Sequence, residues 1–245
     1  MLHGLGSSSE AIEQYSDWPA FAERAGIAWA APDGPFDRRG RRFWDAGPSC
    51  CNFDRLPVDH VAALGALIER LGSEPRVDRA RVYVGGYSNG GFMAHRLACE
   101  RPDLVAGIVS IAGSGPLDGS RCQTPKSLRV LQVQGDADAI VTYAGGHLFQ
   151  DPRLPEHASA QRTLRDWASR LGCVGEPKSL ASLDVEARLP GTETRVASYE
   201  VCARGSVALW TVAGGQHMIG FRAPAPSAIW SFLSRSASDR ASPAQ

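Results

Sequence analysis

Short runs of consecutive apolar residues alternate along the chain with longer stretches in which apolar residues return every third or fourth position. Residues 27–31 (IAWAA), 81–85 (RVYVG), 107–112 (GIVSIA), 128–133 (LRVLQV) and 207–212 (VALWTV) read as strands too uniformly apolar to have a wet face. The stretch 59–71 (DHVAALGALIERL) sets Val61, Leu64, Leu67, Ile68 and Leu71 at helical spacing behind Asp59, a good N-cap. Residues 90–100 read as a helix ended by Pro102, and 161–171 and 227–233 as two more. Strands alternating with helices in this way predict an α/β fold, a mostly parallel sheet with helices on both faces. The Gly-, Pro- and Arg-rich stretch 32–57 is too long for a plain connection and reads as a functional loop. A single domain over 1–235 is expected, with 236–245 a polar, disordered tail.

Charge narrows the function. The 245 residues carry 26 basic and 26 acidic side chains, so the formal net charge is zero. No basic patch marks a nucleic-acid partner, and no apolar stretch reaches the roughly 18 residues of a membrane span. The opening MLHGLGSSSEA lacks the basic head and apolar segment of a signal peptide. Six cysteines (Cys50, Cys51, Cys99, Cys122, Cys173 and Cys202) form no repeated C-x-x-C pair, so no structural zinc is expected. Their even number suits disulfides and an oxidising compartment, although six buried thiols in a cytosolic enzyme would have the same count. Cys173 pairs most simply with Cys202, which leaves Cys50 and Cys51 to take Cys99 and Cys122 in some order.

The chemistry centres on VGGYSNGGF, residues 84–92, where Gly86-x-Ser88-x-Gly90 follows an apolar run and opens a helix. Alone, the pattern also suits a polar residue in a flexible turn. Between a strand and a helix it is the nucleophile elbow of α/β-hydrolases, with glycines where a side chain would strike the adjoining elements. A serine hydroxyl needs a base, and this fold predicts the chain order Ser, acid, His. Asp136 and Asp138 follow the 128–133 strand, and His217 follows the 207–212 strand; spacing alone allows either aspartate. His60, His95, His147 and His157 lack such a placement and read as structural or solvated. The Asn89 backbone N–H is an expected oxyanion donor. The His3-Gly4-Leu5-Gly6 turn, with Ser9 capping the helix behind it, offers the Leu5 N–H as its partner, unless it is an ordinary glycine turn.

Together these pieces resemble the poly(3-hydroxybutyrate) depolymerase group of esterases, which includes feruloyl and acetylxylan esterases. The resemblance spans His3-Gly4, WDAGPSCC (44–51), VDHV, RVYVGGYSNGGFMAHRLACERPD (81–103), GDADAIVTYAGG (135–146) and VAGGQH (212–217). It implies an α/β-hydrolase acting on carboxylic esters through an acyl-enzyme, with Ser88, Asp138 and His217 as the triad and no metal or cofactor. Gln134 stands where the group often has histidine, and Ala139 and Thr142 where it has prolines. Met218, Ile219 and Gly220 replace the usual Thr-Trp-Pro. Trp44, Tyr87, Met218 and Ile219 are the expected cleft-lining residues.

The expected substrates are hydroxyalkanoate oligomers or polymer, or feruloyl and acetyl esters of plant polysaccharide. The short stretch after the last helix tilts this toward soluble esters or oligomers. The other readings are a serine peptidase of the same fold and an inactive hydrolase kept as a binding protein. In this fold the His3-Gly4 turn follows an interior strand, of which only Met1 and Leu2 stand here. The expectation is therefore that Met1 is internal to a longer, exported protein whose preceding part holds about three strands and the signal.

Overall fold

The structure, a computed structural model, describes residues 1–15, 17–199 and 201–235. The tail 236–245 lies outside the described residues. Six strands form the main sheet in the order β1 (Tyr83–Tyr87), β2 (Gly107–Ile111), β3 (Leu128–Gly135), β8 (Gly205–Val212), β7 (Thr194–Tyr199), β6 (Lys178–Leu183). The first four run parallel; β7 and β6 add on antiparallel. A two-residue hairpin, β4 (Gly146–His147) with β5 (Glu156–His157), stands apart.

Alternate residues of the parallel strands serve two cores. Ile108, Val130 and Leu209 pack with α3 (His60–Leu71), α4 (Asn89–Glu100) and α5 (Ala160–Leu171) on one face. Val109, Leu131 and Ala208 pack on the other with α1 (Ser9–Gln14), α2 (Trp18–Arg24) and α6 (Pro224–Ser234). Burial on both faces is why these strands are apolar throughout. Each fully buried Leu or Ile contributes roughly 1.5–3 kcal/mol.

The caps follow local chemistry. Asp59 accepts the Ala62 N–H at 3.0 Å and starts α3, as expected. At α1 the cap is Ser8, not Ser9: Ser8 Oγ accepts the Ala11 N–H at 3.2 Å, while the Ser9 N–H is turned to Asp33.

Three expectations need correction. Residues 27–31 are not a strand. The Met1 amino group donates to Ala30 O, Leu2 alone bridges Gly86 in parallel, and no ladder continues to hold 27–31 extended. Strands β6 and β7 were not expected at all. In β7 the pattern TRVASY alternates, with Thr194, Val196 and Ser198 buried, which is a legible period of two. In β6 almost every residue is exposed, so it carries no such signal. The disulfides are Cys173–Cys202, as expected, then Cys99–Cys122 and the adjacent pair Cys50–Cys51. Residues 173 and 202 form a bridge beside the end of α5, and the Gln123 N–H bonded to Cys99 O holds residue 122 beside α4, so both long-range pairs follow the packing. Among the described residues no helix is long and apolar enough to cross a membrane.

Candidate active site

Three loops at the carboxyl ends of β1, β3 and β8 meet above the sheet. Parallel strands present these ends on one side, so residues 88, 138 and 217 converge although 129 positions separate the outermost two. Ser88 sits at φ +53°, ψ −119°, a conformation unusual for a non-glycine residue and stored here by its neighbours. Its N–H is tied to Ile111 O at 2.7 Å, and its carbonyl accepts the Phe92 N–H that opens α4. The turn is passable only for glycine on either side. A Cβ on Gly86 would lie 2.0 Å from Gly90 O, and one on Gly90 would lie 2.2 Å from Leu2 O.

His217 Nε2 stands 3.0 Å from Ser88 Oγ, and its Nδ1 stands 2.8 Å from Asp138 Oδ2. A carboxylate can only accept, so Nδ1 carries the proton and the Nε2 lone pair faces the serine hydroxyl. The two loops are stitched together: Ala137 N–H donates to Gly215 O at 3.0 Å. Asp138 is buried, and both its oxygens are engaged. Oδ1 accepts the Ile140 and Val141 N–H groups at 2.8 and 2.9 Å, and Oδ2 accepts from His217 and from Gln134 Nε2 at 2.9 Å. Asp136 instead faces outward, bonded to the Gly214 N–H and paired with Arg195 at 2.9 Å. Geometry therefore separates the two aspartates that spacing left open.

The second expected donor loop is pinned by His3. The Gly34 N–H donates to His3 Nε2 at 3.0 Å, so the ring proton sits on Nδ1 and is given to Gly4 O at 2.8 Å. Gly4 C=O and Leu5 N–H belong to one peptide plane and point in opposite directions. Fixing that carbonyl therefore aims the Leu5 N–H away from His3. Burial pushes the His3 pKa down, which favours this neutral form. The neighbouring Gly6 and Ser7 N–H groups are taken by Arg42 O and Gly4 O, whereas the Leu5 N–H has no acceptor among the described residues. Asn89 is the first residue of α4, where an N–H has no intrahelical partner.

The expected cleft-lining set divides. Tyr87 packs its ring 5.3 Å from that of His217, and burial raises its hydroxyl pKa. Met218, beside His217, is half exposed, and its carbonyl accepts from the Arg188 guanidinium. Ile219 and Trp44 are corrections. The chain after Met218 turns inward, so Ile219 is fully buried and its carbonyl accepts the Tyr15 hydroxyl at 2.7 Å. Trp44 is also buried, and it braces the site from behind. Its indole donates to His3 O at 3.0 Å, and its backbone N–H and C=O are clamped by the Asn89 side chain at 2.7 and 2.8 Å. Two further residues carried no sequence signal for their roles. Nothing in the sequence marks the His3 ring, beside its glycine, as the anchor of this loop, and Gln134 stands out only as a departure from the esterase pattern.

A cavity of about 380 Å³ lies between α2, α3, β1 and Trp230 and touches none of Ser88, Asp138 and His217. Volume alone does not make it the site; the convergence of serine, histidine and carboxylate outweighs it.

Residues 52–157 match the phospholipase/carboxylesterase family, an α/β-hydrolase group. NocK of Nocardia uniformis subsp. tsuyamanensis is 36% identical over 145 residues, covering 59% of this chain and 41% of NocK. Feruloyl esterase B of Piromyces equi is 29% identical over 224 residues, covering 89% of this chain and 39% of that protein. The chain thus spans about two fifths of the length of these relatives. Acyl-protein thioesterase 1 of Mycosarcoma maydis is 30% identical over 216 residues, covering 69% of this chain and 88% of that enzyme. Among solved structures, the acetyl xylan esterase of Aspergillus awamori superposes with a TM-score of 0.65 at 14% identity, over 95% of this chain and 86% of that one. At that identity the likeness speaks for the fold alone.

Proposed function

This chain belongs to the phospholipase/carboxylesterase family of α/β-hydrolases, and from that premise we propose that it is a serine hydrolase of carboxylic esters. The observation that carries the reading is the hydrogen-bonded line Ser88–His217–Asp138 at the ends of three parallel strands. His217 Nε2 takes the Ser88 proton as Oγ attacks the ester carbonyl, and Asp138 stabilises the imidazolium that forms. The carbonyl oxygen, now an oxyanion, is met by the Leu5 and Asn89 N–H groups. The tetrahedral intermediate collapses with cleavage of the C–O bond, and the alcohol leaves with the proton held by His217. Water, activated by the same imidazole, then hydrolyses the acyl-serine and returns the enzyme.

For substrates, the feruloyl esterase among the relatives favours feruloyl esters, and the sequence resemblance to the poly(3-hydroxybutyrate) depolymerase group adds acetyl and hydroxyalkanoate esters, with Tyr87 and Met218 beside His217. Three disulfides suit an oxidising compartment, which favours an extracellular or periplasmic home for the whole protein.

The test is hydrolysis of p-nitrophenyl acetate, methyl ferulate and 3-hydroxybutyrate oligomers, with fluorophosphonate labelling followed by peptide mass analysis. The adduct is expected on Ser88, and Ser88→Ala should abolish both turnover and labelling. An adduct on another serine, or turnover in Ser88→Ala, would overturn the reading.

A further inference from the structure

A line of buried polar side chains runs from α5 through α4 and β3 to Asp138. Trp167 Nε1 donates to His95 Nδ1 at 3.0 Å, His95 Nε2 meets Gln132 Oε1 at 2.8 Å, Gln132 Nε2 meets Gln134 Oε1 at 3.1 Å, and Gln134 Nε2 reaches Asp138 Oδ2 at 2.9 Å. Trp167, His95, Gln132 and Gln134 are each no more than 2% exposed. Four polar side chains placed in a core demand a reason, because each must be desolvated and satisfied.

The direction of the line is dictated by its far end. An indole N–H can only donate, so His95 Nδ1 must be the acceptor and the ring proton sits on Nε2. That proton goes to Gln132 Oε1, which turns the Gln132 amide nitrogen toward Gln134 Oε1 and Gly113 O. Gln134 is then obliged to present its own nitrogen to Asp138 Oδ2 and to Val141 O. The oxygen receiving this donor is the one that accepts from His217. Burial lowers the His95 pKa to about 4, so the ring stays neutral and keeps Nδ1 free to accept.

We propose that Trp167, His95, Gln132 and Gln134 form a positioning relay, in which the Trp167 indole fixes the donor orientation of the Gln134 amide and thereby holds the Asp138 carboxylate for His217. None of the four touches the reacting atoms; they act through Asp138. The proposal rests on the ester-hydrolase reading for its kinetic consequence, but the orientation of the relay is measurable without turnover.

The test has two parts on the intact chain. In ¹⁵N NMR the His95 ring should be the neutral Nε2–H tautomer at neutral pH; the Nδ1–H tautomer, or an imidazolium, would overturn the proposal even if the protein hydrolysed no ester. In kinetics on p-nitrophenyl acetate, Trp167→Phe keeps an aromatic ring but deletes the donor, and Gln134→Met deletes the last link. Each should lower kcat about 10-fold or more with KM within about twofold, since a hydrogen bond to a charged group is lost or reversed. Because the far residue acts through the near one, the double variant should fall no further than Gln134→Met alone. Gln132→Met cuts the relay one link earlier and stands in for Gln134→Met should that variant fail to fold. Full kcat in Trp167→Phe, or losses that multiply in the double variant, would reduce the four residues to core packing. Failure of the parent chain to hydrolyse any ester would instead strike the function reading, leaving the tautomer to judge the relay.

Discussion

The parallel and antiparallel halves of the sheet behave as two different materials. Strands β1, β2, β3 and β8 are nearly all buried, and the loops carrying Ser88, Asp138 and His217 extend from three of them. Strand β6 is almost wholly exposed, and β7 buries mainly alternate residues. A parallel strand ends on the same side as its neighbours, so three such ends can be focused on one substrate atom. An antiparallel pair sends its loops to opposite ends and cannot. Chemistry should therefore be lost abruptly by changes in one half and hardly at all by changes in the other.

The largest effect expected is on turnover. Ser88→Ala should lower kcat by about 10⁶-fold. Asp138→Asn should cost on the order of 10⁴-fold, because an amide facing Nδ1 favours the wrong histidine tautomer. Asp136→Asn, on the same loop but turned to Arg195 of the antiparallel half, should stay within about threefold of the parent. Steady-state kinetics of the three variants check this, and an equal loss in both aspartate variants would break the comparison.

Stability, unlike turnover, should draw on both halves. Gly86→Ala forces a Cβ against the Gly90 carbonyl at 2.0 Å, and a backbone atom cannot step aside as a side-chain tip can. A loss of more than about 3 kcal/mol is expected in urea unfolding. In the other half, Cys173–Cys202 closes a segment with a sequence separation of 29. Replacing both cysteines by alanine should cost about 3–4 kcal/mol by loop entropy and leave kcat of the folded protein unchanged.

The relay histidine adds a pH signature. Burial holds His95 at a pKa of about 4 in the folded chain against about 6.5 unfolded. Between those values the unfolded chain binds more protons, so stability falls as pH drops through this window, by up to about 3 kcal/mol for this group. Urea midpoints from pH 7 to 4 should show this slope, and it should flatten in His95→Gln. The smallest effect belongs to the exposed edge: Leu180→Ser in β6 should move stability by no more than about 0.5 kcal/mol.

Both the legible and the illegible parts of this molecule have physical causes. Strands buried on both faces must be apolar at every position, so 107–112, 128–133 and 207–212 announced themselves. A serine held at φ +53° needs glycines beside it, and Gly86 and Gly90 are visible as letters. The order of serine, acid and histidine is likewise a property of the chain. Strand β6 stayed hidden because an exposed edge strand has no pattern to obey, and 27–31 misled because an apolar run without a ladder partner need not extend. The choice between Asp138 and Asp136 rested on resemblance until the fold turned one carboxylate inward to four donors and the other outward to Arg195. The pairing of Cys50 with Cys51, the inward turn that buries Ile219 and the relay behind Asp138 belong to tertiary structure alone. Each depends on which groups meet after folding, and residues as distant as Trp167 and Gln134 have no local rule that binds them; composition and periodicity constrain the burial of a side chain, whereas its partner is chosen by packing.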